Sequence, residues 1–312
     1  MIPRPFLPVR SGGNAARPHA QPSLPLLAFL LALPFLLAAM LPPRTATATE
    51  TAPDSILLAA NATGSSPART DAPLRVFILD QPPWSYLHEG QPQGAAVDVA
   101  RAVLRRLGRN VEFVVTPFNR GLSLVRQGKL DAALTVYRTP EREQFLCYTT
   151  VPLYDEDVLL MVHPDDRHLA NDTSGTARDA ILYGDKPVAV ALGHSYGPTL
   201  DAILSRKGLI RTSSFYSLQE GVQALLRGEV AAVPGAEPTL RALLQRIAPG
   251  RKLVVLRPAY DYVSAYMAFA PTEENALLAA DFDATLGRMR ASGEYARILA
   301  EADRILHAHQ GQ

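Results

Sequence analysis

The sequence predicts an α/β fold of two similar lobes joined by a hinge, with a cleft between them. Three observations predict it. A strand, a helix and a second strand follow one another between residues 74 and 115, an order that implies a right-handed parallel crossover. Residues 121–133, GLSLVRQGKLDAA, are echoed by residues 221–233, GVQALLRGEVAAV. Each copy reads as a short helix, a glycine stop and a buried strand, so the same unit serves two lobes and each lobe presents the loop after its strand. Finally, a polar segment, His163-Pro164-Asp165-Asp166, follows a strand at 158–162, and a return strand lies at 265–270. Two crossings between lobes make a hinge.

The elements follow in order. Residues 74–79 form an apolar, β-rich run that Pro82-Pro83 ends, because proline has no amide hydrogen for a ladder. The loop beyond carries Trp84 and Tyr86. Val97, Ala100, Val103, Leu104 and Leu107 share one face of a helix, and Gly108 stops it. A second strand occupies 111–115. Residues 188–192 start the second lobe's sheet and 252–256 continue it, and helices at 273–290 and 294–306 finish the fold. The first lobe is therefore expected at 73–162 and 266–312, and the second at 163–265.

The N-terminal segment is different in kind. Residues 1–48 hold Arg4, Arg10, Arg17 and Arg44, an apolar run at 24–40 broken by Pro25 and Pro34, and Ala46-Thr47-Ala48. This is the order of a secretory signal peptide with its small-residue cleavage site. The run is short for a spanning helix, which needs about 20 apolar residues. Residues 49–72, rich in Ala, Thr, Ser and Pro, read as a disordered linker. The expected location is the periplasm, without a lipid anchor, since no cysteine follows the leader. The single cysteine, Cys147, excludes an internal disulfide. Of 31 basic residues the leader holds four, leaving 27 against 30 acidic ones. That balance argues against nucleic acid as a partner.

Several motifs carry a resemblance. They are Pro82-Pro83-Trp84-Ser85-Tyr86, Gly94 with Val97-Asp98, Gly128-Lys129-Leu130-Asp131-Ala132, Thr139-Pro140-Glu141-Arg142, Pro152-Leu153-Tyr154, residues 188–193 and Gly228-Glu229-Val230. In this order the chain resembles the periplasmic type-two solute-binding proteins for polar amino acids that serve ATP-driven importers, the family-3 extracellular solute-binding proteins. The resemblance implies a type II periplasmic-binding fold closing on a small carboxylate-bearing ligand, an amino acid above all. It implies an ABC-transporter permease as partner, a monomer, and neither catalysis nor a cofactor.

Arg142 stands where that family clamps the ligand carboxylate, a task suited to a planar fork that makes two parallel bonds. Thr135 and Thr139 complete the cradle by the same resemblance, and Tyr137 is bulkier than the serine expected there. In the second lobe, Gly193-His194-Ser195-Tyr196-Gly197 precedes a helix. Amides at a helix start favour an anion, and the Ser195 hydroxyl adds a bond; a plain helix cap is the other reading of the segment, and the two are compatible. Ala236 replaces the acid that holds the ligand ammonium in related proteins, so either Glu237 or Asp80 substitutes, or the ligand has no ammonium. Trp84 supplies a ring against the ligand or belongs to the core.

Two enzyme readings compete. Gly193-x-Ser195-x-Gly197 matches a nucleophile elbow, with Asp261 or Asp281 and then His307 in the required order, but no Gly-rich oxyanion loop accompanies it. A dehydratase on the same scaffold, similar to cyclohexadienyl dehydratases, would use a cleft carboxylate such as Glu237 as acid or base. His163 and His168 lie in a polar loop and do not read as metal ligands. No phosphate loop, dinucleotide fingerprint or paired-cysteine zinc pattern is present.

Overall fold

The computed structural model describes residues 72–206 and 208–310, all within one compact unit spanning residues 65–312. The leader, its cleavage site and nearly all of the linker lie outside the described residues. The chain runs β1 (Leu74–Ile78), β2 (Tyr86–His88), β3 (Gln91–Gln93), α1 (Ala95–Arg106), β4 (Val111–Val115), α2 (Phe118–Arg126), β5 (Ala132–Tyr137), β6 (Cys147–Tyr148) and β7 (Tyr154–Val162). There follow α3 (Thr176–Leu182), β8 (Val188–Ala191), α4 (Pro198–Leu204), β9 (Thr212–Phe215), α5 (Leu218–Leu226), β10 (Val233–Ala236), α6 (Glu237–Ile247), β11 (Val254–Phe269), α7 (Glu273–Ala291) and α8 (Glu294–Gln310).

β1, α1 and β4 make the expected parallel crossover, with Leu74 opposite Val111 and Ile78 opposite Val115. The buried face of α1 is the apolar stripe seen in the sequence, Val97, Ala100, Val103 and Leu104. Its start is set by Gly94, whose φ of 121° suits glycine alone and whose added Cβ would lie 2.5 Å from the Trp84 carbonyl oxygen. That close approach lets Ala95 and Ala96 donate to the carbonyls of Pro83 and Trp84, each at 3.0 Å, and so pins the loop that carries Trp84. Both copies of the internal repeat take the form read from sequence: α2 leads into β5, and α5 leads into β10.

One sheet, ordered β10-β7-β11-β5-β1-β4, runs through both lobes, with β6 added to β11. β8 and β9 pair in parallel beside it. The segments read as separate strands at 252–256 and 265–270 are one 16-residue strand, β11, interrupted by an irregularity between Leu256 and Asp261. Core packing locates the crossings. Leu153 and Tyr154 belong to the first lobe's core with Val76, Phe269 and Phe282. Val158, Leu160 and Val162 belong to the second lobe's core with Val188 and Leu200. The first crossing therefore falls within β7, at residues 155–157, and not in the polar segment His163-Pro164-Asp165-Asp166. The reason is the burial pattern. β7 alternates from Tyr154 to Asp157 and is then buried without a break from Val158 to Val162, as a strand covered on both faces must be. The return falls between Val263, in the second core, and Ala265, in the first. Among the described residues no helix is long and apolar enough to cross a membrane.

Candidate functional site: a cavity between the lobes

A cavity of about 50 Å³, room for a few water-sized groups, lies between the lobes. The first lobe contributes Trp84, Phe118, Thr135, Tyr137 and Arg142, the hinge strand β7 contributes Tyr154, Glu156 and Val158, and the second lobe contributes His194, Ser195, Tyr196, Ala236 and Thr239. Six of the nine residues singled out in the sequence thus meet here: Arg142, Thr135, Tyr137, Trp84, His194 and Ser195.

Arg142 opens a 3₁₀ turn, Arg142–Gln144, and is 5% exposed. Its guanidinium donates to the Tyr137 carbonyl at 2.8 Å and, across the cleft, to the Gly193 carbonyl at 2.9 Å. It lies 4.8 Å from the centroid of Phe118, a cation–π contact. Burial lowers its proton affinity, offset in part by Tyr148, Asp201 and Glu141. Among the described residues no carboxylate forms an ion pair with it, although a buried charge normally has such a partner. Thr139 does not line the cavity. Its hydroxyl accepts from the Arg142 amide at 3.3 Å, a bond that steadies the turn carrying the arginine.

Thr135 has a φ of 61°, a left-handed conformation that β-branched residues rarely hold without support. Val136 pairs with Tyr266 and Ala133 with Ala268, so Leu134 and Thr135 together oppose Met267. The extra residue is a bulge, a device that re-aims a side chain, and here it accompanies Thr135 at the cavity wall.

The acid of the cavity is Glu156, which the sequence reading missed. It is 7% exposed. The Trp84 indole N–H donates to it at 3.0 Å, and the Tyr137 hydroxyl donates to its other oxygen. Burial raises its proton affinity to about 7 against the pull of those two bonds. Trp84 itself stacks on Tyr154 with centroids 3.6 Å apart and planes 7° from parallel. The signal was present in the run Tyr154-Asp155-Glu156-Asp157-Val158, where period two puts Tyr154, Glu156 and Val158 on one face. A lone glutamate on the buried face of a strand is the mark of a site.

Neither acid proposed from sequence reaches the cavity. Both Glu237 oxygens are taken, one by Arg241 and the other by Arg257 at 2.5 Å. Asp80 pairs with Arg246 at 3.0 Å. The helix-start reading of Ser195 is also corrected. The first amides of α4, at Thr199 and Leu200, go to the Asp261 carboxylate at 3.2 and 2.9 Å, and the Tyr196 amide goes to Asp201 at 2.8 Å. The protein's own acids occupy the donors meant for an anion. Ser195 donates to Asp201 at 2.5 Å. With Asp261 capping a helix and His307 lining a different cavity, no Ser195–Asp261–His307 triad assembles.

His194 packs on Phe118 across the cleft, 4.9 Å between ring centroids. Burial, with Arg142 nearby, lowers its proton affinity to about 4, which keeps the imidazole neutral at ordinary pH. The arginine bridge and this ring contact show the cleft shut. Among the described residues no cluster of histidine, cysteine and acid side chains fits a metal ion.

A two-lobed α/β protein with a small polar cavity at its hinge belongs to the class of type II periplasmic binding proteins. The chain is a member of the bacterial extracellular solute-binding proteins, family 3, whose model matches residues 74–301. Solved structures with this fold include the following three. A mutant of ArgBP from T. maritima is 23% identical, with a TM-score of 0.62 over 74% of this chain and 95% of that one. The arginine-, lysine-, histidine-binding protein ArtJ from Geobacillus stearothermophilus is 20% identical, with a TM-score of 0.61 over 74% and 94%. The ancestral amino acid-binding protein AncCDT-1, a precursor of cyclohexadienyl dehydratase, is 23% identical, with a TM-score of 0.60 over 73% and 94%. No curated protein sequence matches the chain.

Proposed function

We propose that this solute-binding protein captures a small amino acid in the periplasm, closing its lobes on it for delivery to an ABC-transporter permease. The observation that carries the reading is Arg142, a buried guanidinium at the cavity wall whose bonds go only to neutral carbonyls. A ligand carboxylate supplies the missing charge. Glu156, in the position of neither acid considered from sequence, receives the ligand ammonium. Tyr137 lies between the two groups, with its carbonyl on Arg142 and its hydroxyl on Glu156. Thr135 and Thr239 add hydroxyls, and the Trp84–Tyr154 stack bounds the space. The solved neighbours that bind amino acids support this class of ligand.

The role of Glu156 has a signed pH dependence. An ammonium partner needs the carboxylate, so affinity for an amino acid falls as pH drops below about 7, by about tenfold per unit once the group is protonated. Titration calorimetry from pH 5 to 8 with the amino acid that most raises the unfolding midpoint measures this, and Glu156→Gln is expected to flatten the profile. A profile equally steep in the variant sinks the assignment. Without ligand the same group acts on stability. Its folded proton affinity is raised, so stability is greatest below the unfolded value near 4.5 and is lost as pH rises through about 7. The loss is a few kcal/mol at about 1.4 kcal/mol per unit. Urea unfolding of Glu156→Gln at pH 5 and pH 8 is expected to show the smaller difference.

One observation favours a second reading. A buried carboxyl with a proton affinity of about 7, in the same cavity as the Arg142 guanidinium, suits a general acid acting on a bound carboxylate. On this dehydratase reading Glu156, in place of Glu237, gives its proton to the leaving hydroxyl, which departs as water while the ring carboxylate leaves as carbon dioxide and its C–C bonding pair completes the aromatic ring. Release of aromatic product from prephenate-like acids, abolished by Glu156→Gln, would establish it, and no turnover in the wild type would dismiss it.

A further inference from the structure

Outside the cavity, one face of α6 in the second lobe is tied to the first lobe at two points a helical turn apart. Ala242 packs in a separate small buried cluster with Tyr86 and Leu306, all three at most 7% exposed. Arg246, four residues on and therefore on the same face, donates to Asp80 at 3.0 Å and to Gln219. Tyr86 and Asp80 flank the loop that carries Trp84. Leu306 belongs to α8, whose first turns are fixed on the first lobe. Glu294 makes a two-bond pair with Arg106 at 2.6 and 2.7 Å, and Tyr295, Ile298 and Leu299 pack on the first lobe's core. The far end of this helix reaches over to the other lobe. Neither contact touches the central cavity, and neither lies on the two hinge strands.

From this geometry we propose that α8 is a strap anchored on the first lobe, and that Leu306 and Asp80 latch α6 to hold the lobes shut. The latch sets the balance between open and shut forms, and through it the affinity of any cleft ligand, without meeting that ligand. The inference rests on the lobe closure proposed above but not on the identity of what is bound.

The test uses the unliganded protein, so failure of the amino-acid reading leaves it intact. Trp84 is the sole tryptophan of the chain and lines the cavity, so acrylamide quenching of its fluorescence reports cleft access, and small-angle scattering reports the radius of gyration. Asp80→Lys is expected to raise the quenching constant roughly two- to fivefold at low salt, the range of an exposed ion pair; Leu306→Ala, which removes an apolar contact, is expected to raise it at any salt concentration; both are expected to enlarge the radius of gyration. Adding Arg246→Glu to Asp80→Lys reverses both charges and is expected to restore both readings. Quenching and radius unchanged in both single variants would overturn the latch. So would a rise in quenching with no change in radius, which marks local loosening of the Trp84 loop. Failure of the charge swap to restore closure would also overturn it.

Discussion

Arg142→Ala is expected to weaken binding of the carboxylate ligand by 30-fold or more. The residue has two tasks. On the proposed reading it presents a charge-assisted fork to the ligand, and it ties the first lobe to the second through the Gly193 carbonyl at 2.9 Å. Truncating one partner of a buried, hydrogen-bonded charge pair costs about 2–5 kcal/mol, and loss of the tie adds to that by favouring the open form. Arg142→Lys should recover only part of the affinity, because an ammonium cannot reach both the carbonyls and a carboxylate with the same planar geometry. Titration calorimetry of the three proteins decides it. Equal affinities would leave the cleft without its anion site.

Gly193→Ala is expected to cost of order tenfold in affinity by keeping the cleft from shutting, while the first lobe's half of the site stays intact. Gly193 has a φ of 76°, and a Cβ there would lie 1.6 Å from Asn119 Oδ1. Asn119 stands in the first turn of α2, in the opposite lobe, so this is a contact made only on closure. The substitution acts twice, through the left-handed backbone and through displacement of the Asn119 amide. Asn119→Ala in the same background should return part of the loss, since it removes the clash and leaves the backbone strain. Stopped-flow fluorescence of Trp84 should place most of the effect in the dissociation rate. An effect confined to association would show that the contact does not hold the shut form.

The fold was legible because its signals are local and repeated. The apolar stripe of α1, the proline stop after β1 and the two copies of helix, glycine and strand each follow from backbone rules that need no distant partner. The crossing within β7 was not legible in the same way. A five-residue buried run does not say which lobe covers it, and only the packing of Val158, Leu160 and Val162 with Val188 and Leu200 decides.

The site divides along the same line. Arg142, Thr135, Tyr137, Trp84, His194 and Ser195 meet at the cavity because they lie at loop and strand ends, where such folds gather their ligands. Thr139, Asp80 and Glu237 are turned to the Arg142 amide, a latch and a pair of arginines, and sequence proximity to the site carries no information about direction. Glu156 was missed because it lies on a hinge strand rather than a loop, between two exposed aspartates that make it look like one more surface acid. The neutralised amides at the start of α4 depend on Asp261, which is distant in sequence and brought near by β11.

The measurement that bears most directly on the central claim is thermal unfolding of residues 49–312 against a panel of α- and ω-amino acids, dicarboxylates, keto acids and short peptides, with Arg142→Ala beside it. An amino acid at 100 times its dissociation constant should stabilise the native state by about 2.7 kcal/mol, visible as a raised midpoint in the wild type and absent in the variant. A midpoint unmoved by every member of the panel, or raised equally in Arg142→Ala, would contradict capture of an amino acid by this cleft.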